Sequence, residues 1–238
     1  MATLNLCIDQ GNTRIKVAVF EGAELKSFVV IPQIQEISNW LTTNNYHIAN
    51  SMWSSSASQS TPVELPGKLI ILEANTPLPI TIDYDSFESL GNDRKANACA
   101  VAAIFPNKNC LVIDAGTCIT YDLVRSDKTF VGGAISPGIE MRAKAMHQFT
   151  ARLPEIKAPF ENLTIGKSTH ACLHSGVLHA ALLEAEGRIA ELSQQFEDLH
   201  VLLCGGDASY FESGLKNPTF ADSNLTLRGL NEILQFLK

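Results

Sequence analysis

LNLCIDQGNTRIK, residues 4–16, is the stretch that decides the fold of this chain. A short apolar run ends in Asp9, Gly11 allows the backbone to turn tightly, and a second β-rich segment returns. LVIDAGTCIT, residues 111–120, repeats this order around Asp114 and Gly116. The repetition indicates two related half-domains.

Both turns carry groups that suit phosphates and cations. The Asp supplies a carboxylate for a hydrated cation, and the backbone N–H groups of a glycine-containing turn suit phosphate oxygens. Either turn alone is typical of an ordinary hairpin, since Asp, Gly, Asn and Thr are common turn residues. Because each turn follows a buried-type strand, the presence of both turns favours a nucleotide site over two ordinary hairpins. In such a site, two facing loops would hold a nucleotide and its metal.

Length and composition restrict the class of protein. The 238 residues suit two domains of roughly 100–120 residues, or one large α/β unit. Hydrophobic residues make up 45% and charged residues 18%, which predicts a compact core without a charged disordered arm. The net charge of −7 argues against nucleic-acid binding. The start lacks a signal-peptide pattern, and the longest apolar run, Ala98 to Phe105, is too short to cross a bilayer. We therefore expect a cytoplasmic protein without membrane contact.

The cysteines and histidines do not predict a metal centre. No CxxC pair occurs among the six cysteines, which we interpret as reduced residues, most of them in the core. His170 and His174 have a spacing that can bind zinc, but the Glu of the metalloprotease motif is absent. A structural role for both histidines is therefore favoured.

The hydrophobic pattern predicts a β-rich and then helical order in each half. The chain should divide near Pro106, into ribonuclease H-like halves 1–106 and 107–238. Predicted strands are 4–10, 14–20, 24–31, 48–53, 68–72, 110–114, 118–124, 129–135 and 200–204. Predicted helices are 34–41, 92–105, 139–148, 167–195 with a break at Gly176 and a second candidate break at Gly187, and 229–238.

Two further features fit a nucleotide site. Gly205-Gly206-Asp207 follows a buried-type strand, and its glycines would allow a flat adenine or ribose to approach the backbone closely. Lys16 lies on the returning strand of the first turn and can place an ammonium near phosphates. The alternative for Lys16 is an ordinary solvated lysine.

Together these segments resemble the actin, heat-shock and sugar-kinase superfamily, and more closely the type III pantothenate kinases. The motifs occur in the order of that family: Asp9 to Lys16, Gly91-Asn92-Asp93-Arg94, Asp114-Ala115-Gly116-Thr117, Gly132 to Gly138, Thr150 to Pro154, Gly166-Lys167-Ser168-Thr169 and Gly205-Gly206-Asp207. The resemblance covers almost the whole chain. It departs at Asn92 and Cys118, where Ala is more common, and at Gln10, where a small apolar residue is common. It implies an α/β protein with the actin-like ATPase fold and a nucleotide cleft between two ribonuclease H-like halves.

The resemblance also implies a reaction, the transfer of the ATP γ-phosphoryl group to the primary hydroxyl of pantothenate, which begins coenzyme A synthesis. Asp93 matches the general base of the family, with a helix cap as the alternative. Arg94 matches a clamp for substrate or transition state, with a surface salt bridge as the alternative. Asp114 matches the ligand of a monovalent cation, potassium or ammonium, and ATP would enter as its magnesium complex.

The remaining site residues follow from the same resemblance. ATP contacts are implied for Asp9, Gln10, Gly11, Asn12, Thr13, Arg14, Ile15, Lys16 and Thr117. Pantothenate contacts are implied for Tyr84, Gly91, Asn92, Asp93, Arg94 and Thr169. Thr169 would reach the site from the neighbouring subunit of a homodimer. A core aromatic is the alternative for Tyr84, and a helix cap is the alternative for Thr169.

Assembly and two other function classes stay open on sequence alone. An apolar stripe at helical spacing, which could bury against a second subunit or form the core of one domain, comprises Ala171, Cys172, Leu178, Ala181, Leu182, Ala185 and Ile189. Another phosphotransferase of the superfamily, acting on acetate or a sugar, is one functional alternative, as is an ATPase or a phosphatase. A non-catalytic regulator on the same fold is the other, although retention of Asp9, Lys16, Asp93 and Asp114 argues against it.

Overall fold

The computed structural model describes residues 3–11, 14–55, 64–217 and 219–238. Residue contacts divide the chain into two compact units. Unit 1 comprises Met1–Pro106, Lys128–Phe130 and Asn224–Lys238, and unit 2 comprises Asn107–Asp127 and Val131–Ser223. These units differ from the predicted consecutive segments, because Lys128–Phe130 and the last fifteen residues group with unit 1. The two ribonuclease H-like halves stay a prediction.

Strands and helices alternate along the described residues much as predicted. The strands are β1 (Leu4–Gln10), β2 (Ile15–Glu21), β3 (Glu24–Ile31), β4 (Ile48–Ser55), β5 (Lys68–Ile71), β6 (Thr81–Ile82), β7 (Cys110–Ala115), β8 (Cys118–Val124), β9 (Thr129–Pro137), β10 (His200–Cys204) and β11 (Phe220–Ala221). The α-helices are α1 (Glu36–Thr43), α2 (Asn92–Ile104), α3 (Ile139–Gln148), α4 (Thr169–His174), α5 (Ala180–Gln195), α6 (Ala208–Gly214) and α7 (Leu225–Phe236). A 3-10 turn spans Phe87–Ser89, and a π-helical turn spans Ser175–His179.

The sheet of unit 1 has the order β3-β2-β1-β4-β5. Strand β1 pairs antiparallel with β2 and parallel with β4. Successive side chains of β1 point to opposite faces of the sheet. Leu6 and Ile8 therefore join one apolar cluster with α1, whereas Cys7 joins another that includes residues of α2 and α7. Both faces are covered, which explains why the apolar residues Leu6, Cys7 and Ile8 follow one another in β1.

Helices α2 and α7 of unit 1 pack without space for a side chain at their closest approach. A Cβ added to Gly229 on α7 would lie 1.7 Å from the carbonyl oxygen of Ala96 on α2. Close by, the hydroxyl of Thr226 donates a hydrogen bond to Oδ1 of Asn97 at 2.9 Å. The amino end of α2, which carries Asp93, is thus held in place by α7.

The second sheet has six strands in the order β11-β10-β7-β8-β9-β6. Strand β7 pairs antiparallel with β8 and parallel with β10. Thr129 and Phe130, the first residues of β9, belong to unit 1 and pair there with β6.

Most of the predicted apolar stripe belongs to the core of unit 2, but Ala171 is only half-buried and Cys172 is exposed. Leu178, Ala181, Leu182, Ala185 and Ile189 are buried in the same cluster as residues of β7, β8 and β10. The stripe therefore matches the single-domain interpretation and gives no support to a subunit interface. The predicted break at Gly176 is the π-helical turn, whereas Gly187 lies inside α5.

Candidate active site

The turn between β1 and β2 places Asp9 and Lys16 directly opposite one another. Residues paired in this way project from the same face of an antiparallel sheet, so a carboxylate and an ammonium lie side by side. On its other side Asp9 pairs with Ser54 at the carboxyl end of β4. Because β1 and β4 are parallel, polar groups from both strands meet at one edge of the sheet, the usual location of ligand sites in such folds.

The remaining predicted ATP contacts of this turn differ in what they offer. The backbone N–H of Gly11 donates to the carbonyl oxygen of Arg14 at 3.0 Å, which closes the turn. Arg14 is exposed, whereas the side chain of Ile15 is buried in the core of unit 1. Only the backbone of Ile15 is therefore suited to a nucleotide contact. Asn12 and Thr13 lie outside the described residues.

In unit 2, Asp114 lies at the carboxyl end of β7 and packs against Gly205. The φ angle of Gly205 is +94°, and an added Cβ would lie 2.2 Å from the carbonyl oxygen of Ala115 and 2.5 Å from Oδ1 of Asp114. The backbone N–H of Asp207 donates to the same Ala115 oxygen at 2.9 Å. Glycine at position 205 therefore lets the 205–207 turn lie directly on the Asp114 carboxylate.

Thr117 is exposed at the turn that follows Asp114. Its carbonyl oxygen accepts a hydrogen bond from the backbone N–H of Gly138 at 3.1 Å. A Cβ on Gly138 would lie 2.4 Å from this oxygen, so the segment before α3 also approaches the turn closely. Three segments thus converge at the end of β7, each of them containing glycine.

Asp93 occupies the first turn of α2, but it is not the N-cap. Gly91 holds the cap position without a side-chain hydrogen bond, and the side chain of Asn92 donates to the carbonyl oxygen of Leu72 at 2.8 Å. Oδ1 of Asp93 accepts the backbone N–H of Arg94 at 2.8 Å. A Cβ on Gly91 would lie 2.5 Å from that oxygen, so glycine at this position leaves space for the half-buried carboxylate.

Arg94 is buried beside two aromatic rings. Only 6% of the residue is exposed, and its Cζ lies 5.6 Å from the centre of the Tyr84 ring and 5.5 Å from that of Phe130. The two rings are 5.9 Å apart in an edge-to-face arrangement. Such distances permit attraction between the guanidinium and both rings. Tyr84 is half-buried, so it is not simply a core aromatic.

Thr169 is the first residue of α4 and is exposed. The N-cap is its neighbour Ser168, whose Oγ accepts the backbone N–H of Ala171 at 3.2 Å. The helix-cap interpretation of Thr169 is therefore wrong. His174, in contrast, has the structural role expected from the sequence: it is buried, and its Nδ1 accepts the backbone N–H of Glu161 at 3.1 Å. The described residues contain no cluster of potential metal-binding side chains.

Comparison with known proteins identifies the family. The model of the type III pantothenate kinase family matches residues 5–191. The chain belongs to the type III pantothenate kinase family. A type III pantothenate kinase of Christiangramia forsetii is 41% identical over 99% of both chains. Membership confirms the family predicted from the motifs, although it does not test the individual site residues.

Solved structures confirm the fold. A Baf family protein from Campylobacter jejuni matches over 98% of both chains with a TM-score of 0.63 and 20% identity. A ROK hexokinase from Thermus thermophilus matches over the full length of both chains with a TM-score of 0.53 and 15% identity. The chain therefore has the actin-like ATPase and sugar-kinase fold. Within the described ranges, no helix has the length and apolar character needed to span a membrane.

Proposed function

We propose that this protein transfers the γ-phosphoryl group of ATP to the primary hydroxyl of pantothenate, the first step of coenzyme A synthesis. The observation that carries the proposal is the first turn of α2. There a carboxylate, Asp93, accepts a backbone N–H, and a guanidinium, Arg94, contacts two aromatic rings. Membership of the type III pantothenate kinase family supports this substrate.

Each unit carries its own set of groups that suit phosphoryl transfer. In unit 1, Asp93 accepts the proton of the attacking hydroxyl, and Arg94 with Tyr84 orients the acceptor. Lys16, opposite Asp9, offers an ammonium to the phosphates. In unit 2, Thr117 and the 205–207 turn lie beside Asp114 and suit the nucleotide.

Magnesium enters with ATP, and a monovalent cation at Asp114 offsets phosphate charge. The oxygen donors at the end of β7, the Asp114 carboxylate and neighbouring backbone carbonyls, fit a hard cation such as potassium. Ammonium, which donates hydrogen bonds to the same oxygen atoms, should be able to replace potassium. Asp114 holds the cation, and Gly205 packs against the Asp114 carboxylate.

The functional assembly in this proposal is a homodimer in the cytoplasm. Thr169 is exposed at the start of α4, as a residue that completes the pantothenate site of a neighbouring subunit must be. Several large apolar side chains of unit 2 are also exposed and suit a partner surface: Ile135, Met141, Phe149, Ile165 and Leu183.

The test is a substrate panel. Purified protein is supplied with ATP, magnesium and potassium and is offered pantothenate, acetate or a series of sugars while ADP release is measured. The proposal expects ADP release when pantothenate is the acceptor and none when acetate or a sugar is offered. Release with acetate or a sugar but not with pantothenate would indicate another phosphotransferase of the superfamily, and ADP release without any acceptor would indicate an ATPase.

A further inference from the structure

Lys95 is a buried cation immediately after Asp93 and Arg94. Only 1% of the residue is exposed, and it is among the largest fully buried side chains. Burial lowers the pKa of its ammonium. Burying an ammonium is energetically costly, so the surroundings of Lys95 and the contact that it makes there matter.

The contact that Lys95 makes is with the loop before α2. Its Nζ lies 5.1 Å from the centre of the Phe87 ring, within the range of cation–π attraction. Phe87 begins the 3-10 turn and follows Tyr84 by three residues. The two consecutive cations of α2 therefore hold the same short segment at two points, Arg94 at Tyr84 and Lys95 at Phe87.

We propose that Lys95 is a positioning residue of the acceptor site, which acts through Phe87 to hold the segment carrying Tyr84 against the first turn of α2. This inference rests on the proposed pantothenate kinase function. Lys95 does not itself contact the substrate. Its loss should therefore weaken pantothenate binding, whereas ATP binding and the chemical step should change little.

Stability distinguishes this role from an ordinary structural one. Replacing a buried charge with an apolar side chain of similar shape is often neutral or stabilising. Lys95→Met should accordingly leave Tm unchanged or raise it while pantothenate binding weakens. A side chain that only fills the core would show the opposite, a lower Tm with no selective effect on pantothenate.

The experiment compares Lys95→Met, Lys95→Arg, Phe87→Leu and the Lys95→Met, Phe87→Leu double variant. We expect Lys95→Met and Phe87→Leu each to raise KM for pantothenate by roughly 3- to 30-fold, which corresponds to the loss of one cation–π contact. The double variant should be no worse than either single change, since both remove the same contact. Lys95→Arg keeps a cation at this position, so its KM for pantothenate should equal that of the parent protein. Lys26→Met, which removes an exposed lysine that pairs with Glu21 at 2.9 Å, is the control and should have no effect.

Hydrogen exchange of residues 81–90 provides a measurement that needs no activity. Faster exchange in Lys95→Met, but not in Lys26→Met, is the expected result. Unchanged exchange, or equal increases in KM for ATP and pantothenate, would overturn the positioning role. If the parent protein did not phosphorylate pantothenate, the proposed function would fail, while the exchange experiment would still test whether Lys95 holds the segment.

Discussion

Gly205→Ala should destabilise the protein far more than the same change at the next position. The φ angle of +94° lies where a residue with a Cβ pays about 1–2 kcal/mol. The new Cβ would also lie 2.2 Å from the carbonyl oxygen of Ala115, a backbone atom that cannot rotate away. Forced overlap in a packed region adds about 1–3 kcal/mol, so the free energy of unfolding should fall by about 2–5 kcal/mol.

Gly206→Ala is the matched control. No atom lies within 4 Å of a Cβ added at Gly206, and its φ angle is outside the left-handed region. The free energy of unfolding should therefore change by no more than about 0.5 kcal/mol. With about 2–4 °C in Tm for each kcal/mol, Gly205→Ala should lower Tm by about 4–20 °C, whereas Gly206→Ala should shift it by at most about 2 °C.

Thermal unfolding and ATP kinetics of both variants complete the test. The open space at Gly206 is where a nucleotide would approach the backbone, so Gly206→Ala should raise KM for ATP without lowering Tm. Equal Tm values for the two variants would refute the reasoning about Gly205. An unchanged KM for ATP in Gly206→Ala would remove the 205–207 turn from the nucleotide site.

Three further predictions test the proposed roles. Asp93→Asn removes the proton acceptor and should lower kcat by roughly 10²–10⁴-fold with little change in KM for ATP. The control is Asp198→Asn, which changes an exposed ion pair with Lys108 and should leave kcat unchanged. Activity should rise with potassium or ammonium and stay low in sodium, and equal rates in the three salts at matched ionic strength would contradict a monovalent cation at Asp114. Mixed Asp93→Asn and Thr169→Ala chains should recover activity, since one composite site of the heterodimer carries neither defect; heterodimers confirmed by mass without recovery would place Thr169 elsewhere.

Most of the secondary structure could be predicted because its signals are local. Helix α3 has the predicted bounds, and β1 was identified by an apolar run that ends at a glycine-containing turn. The start of α7 was missed: the prediction began at Gly229, but the helix begins at Leu225. The reason is that Thr226 looks polar in sequence yet is buried through its hydrogen bond to Asn97. Strands β6 and β11 have two residues each and form by pairing with distant strands, for which the sequence carries no local signal.

The residues of the candidate site also differ in whether a local sequence signal indicates them. Asp9 and Asp114 lie at strand ends just before glycine-containing turns, a local pattern that the sequence shows, whereas Asp93 was predicted from the family resemblance; their roles stay predictions. Phe130 was missed because its contact with Arg94 comes from a separate strand. Lys95 was missed because nothing in an Ala-rich helix reveals that its lysine faces inward. Ser168 and Thr169 are adjacent hydroxyl residues, and only the backbone geometry shows which of them caps α4.

The grouping of Asn224–Lys238 with unit 1 has a consequence for the order in which the chain folds. Leu227, Leu230 and Ile233 of α7 share a buried cluster with Cys7 of β1 and Ala96 of α2. During synthesis all of unit 2 leaves the ribosome before α7 does, although domains generally fold from the amino terminus onward. We therefore expect unit 2 to fold while unit 1 still lacks a side of its core. The helix that carries Asp93 would then reach its final position only after α7 has been made.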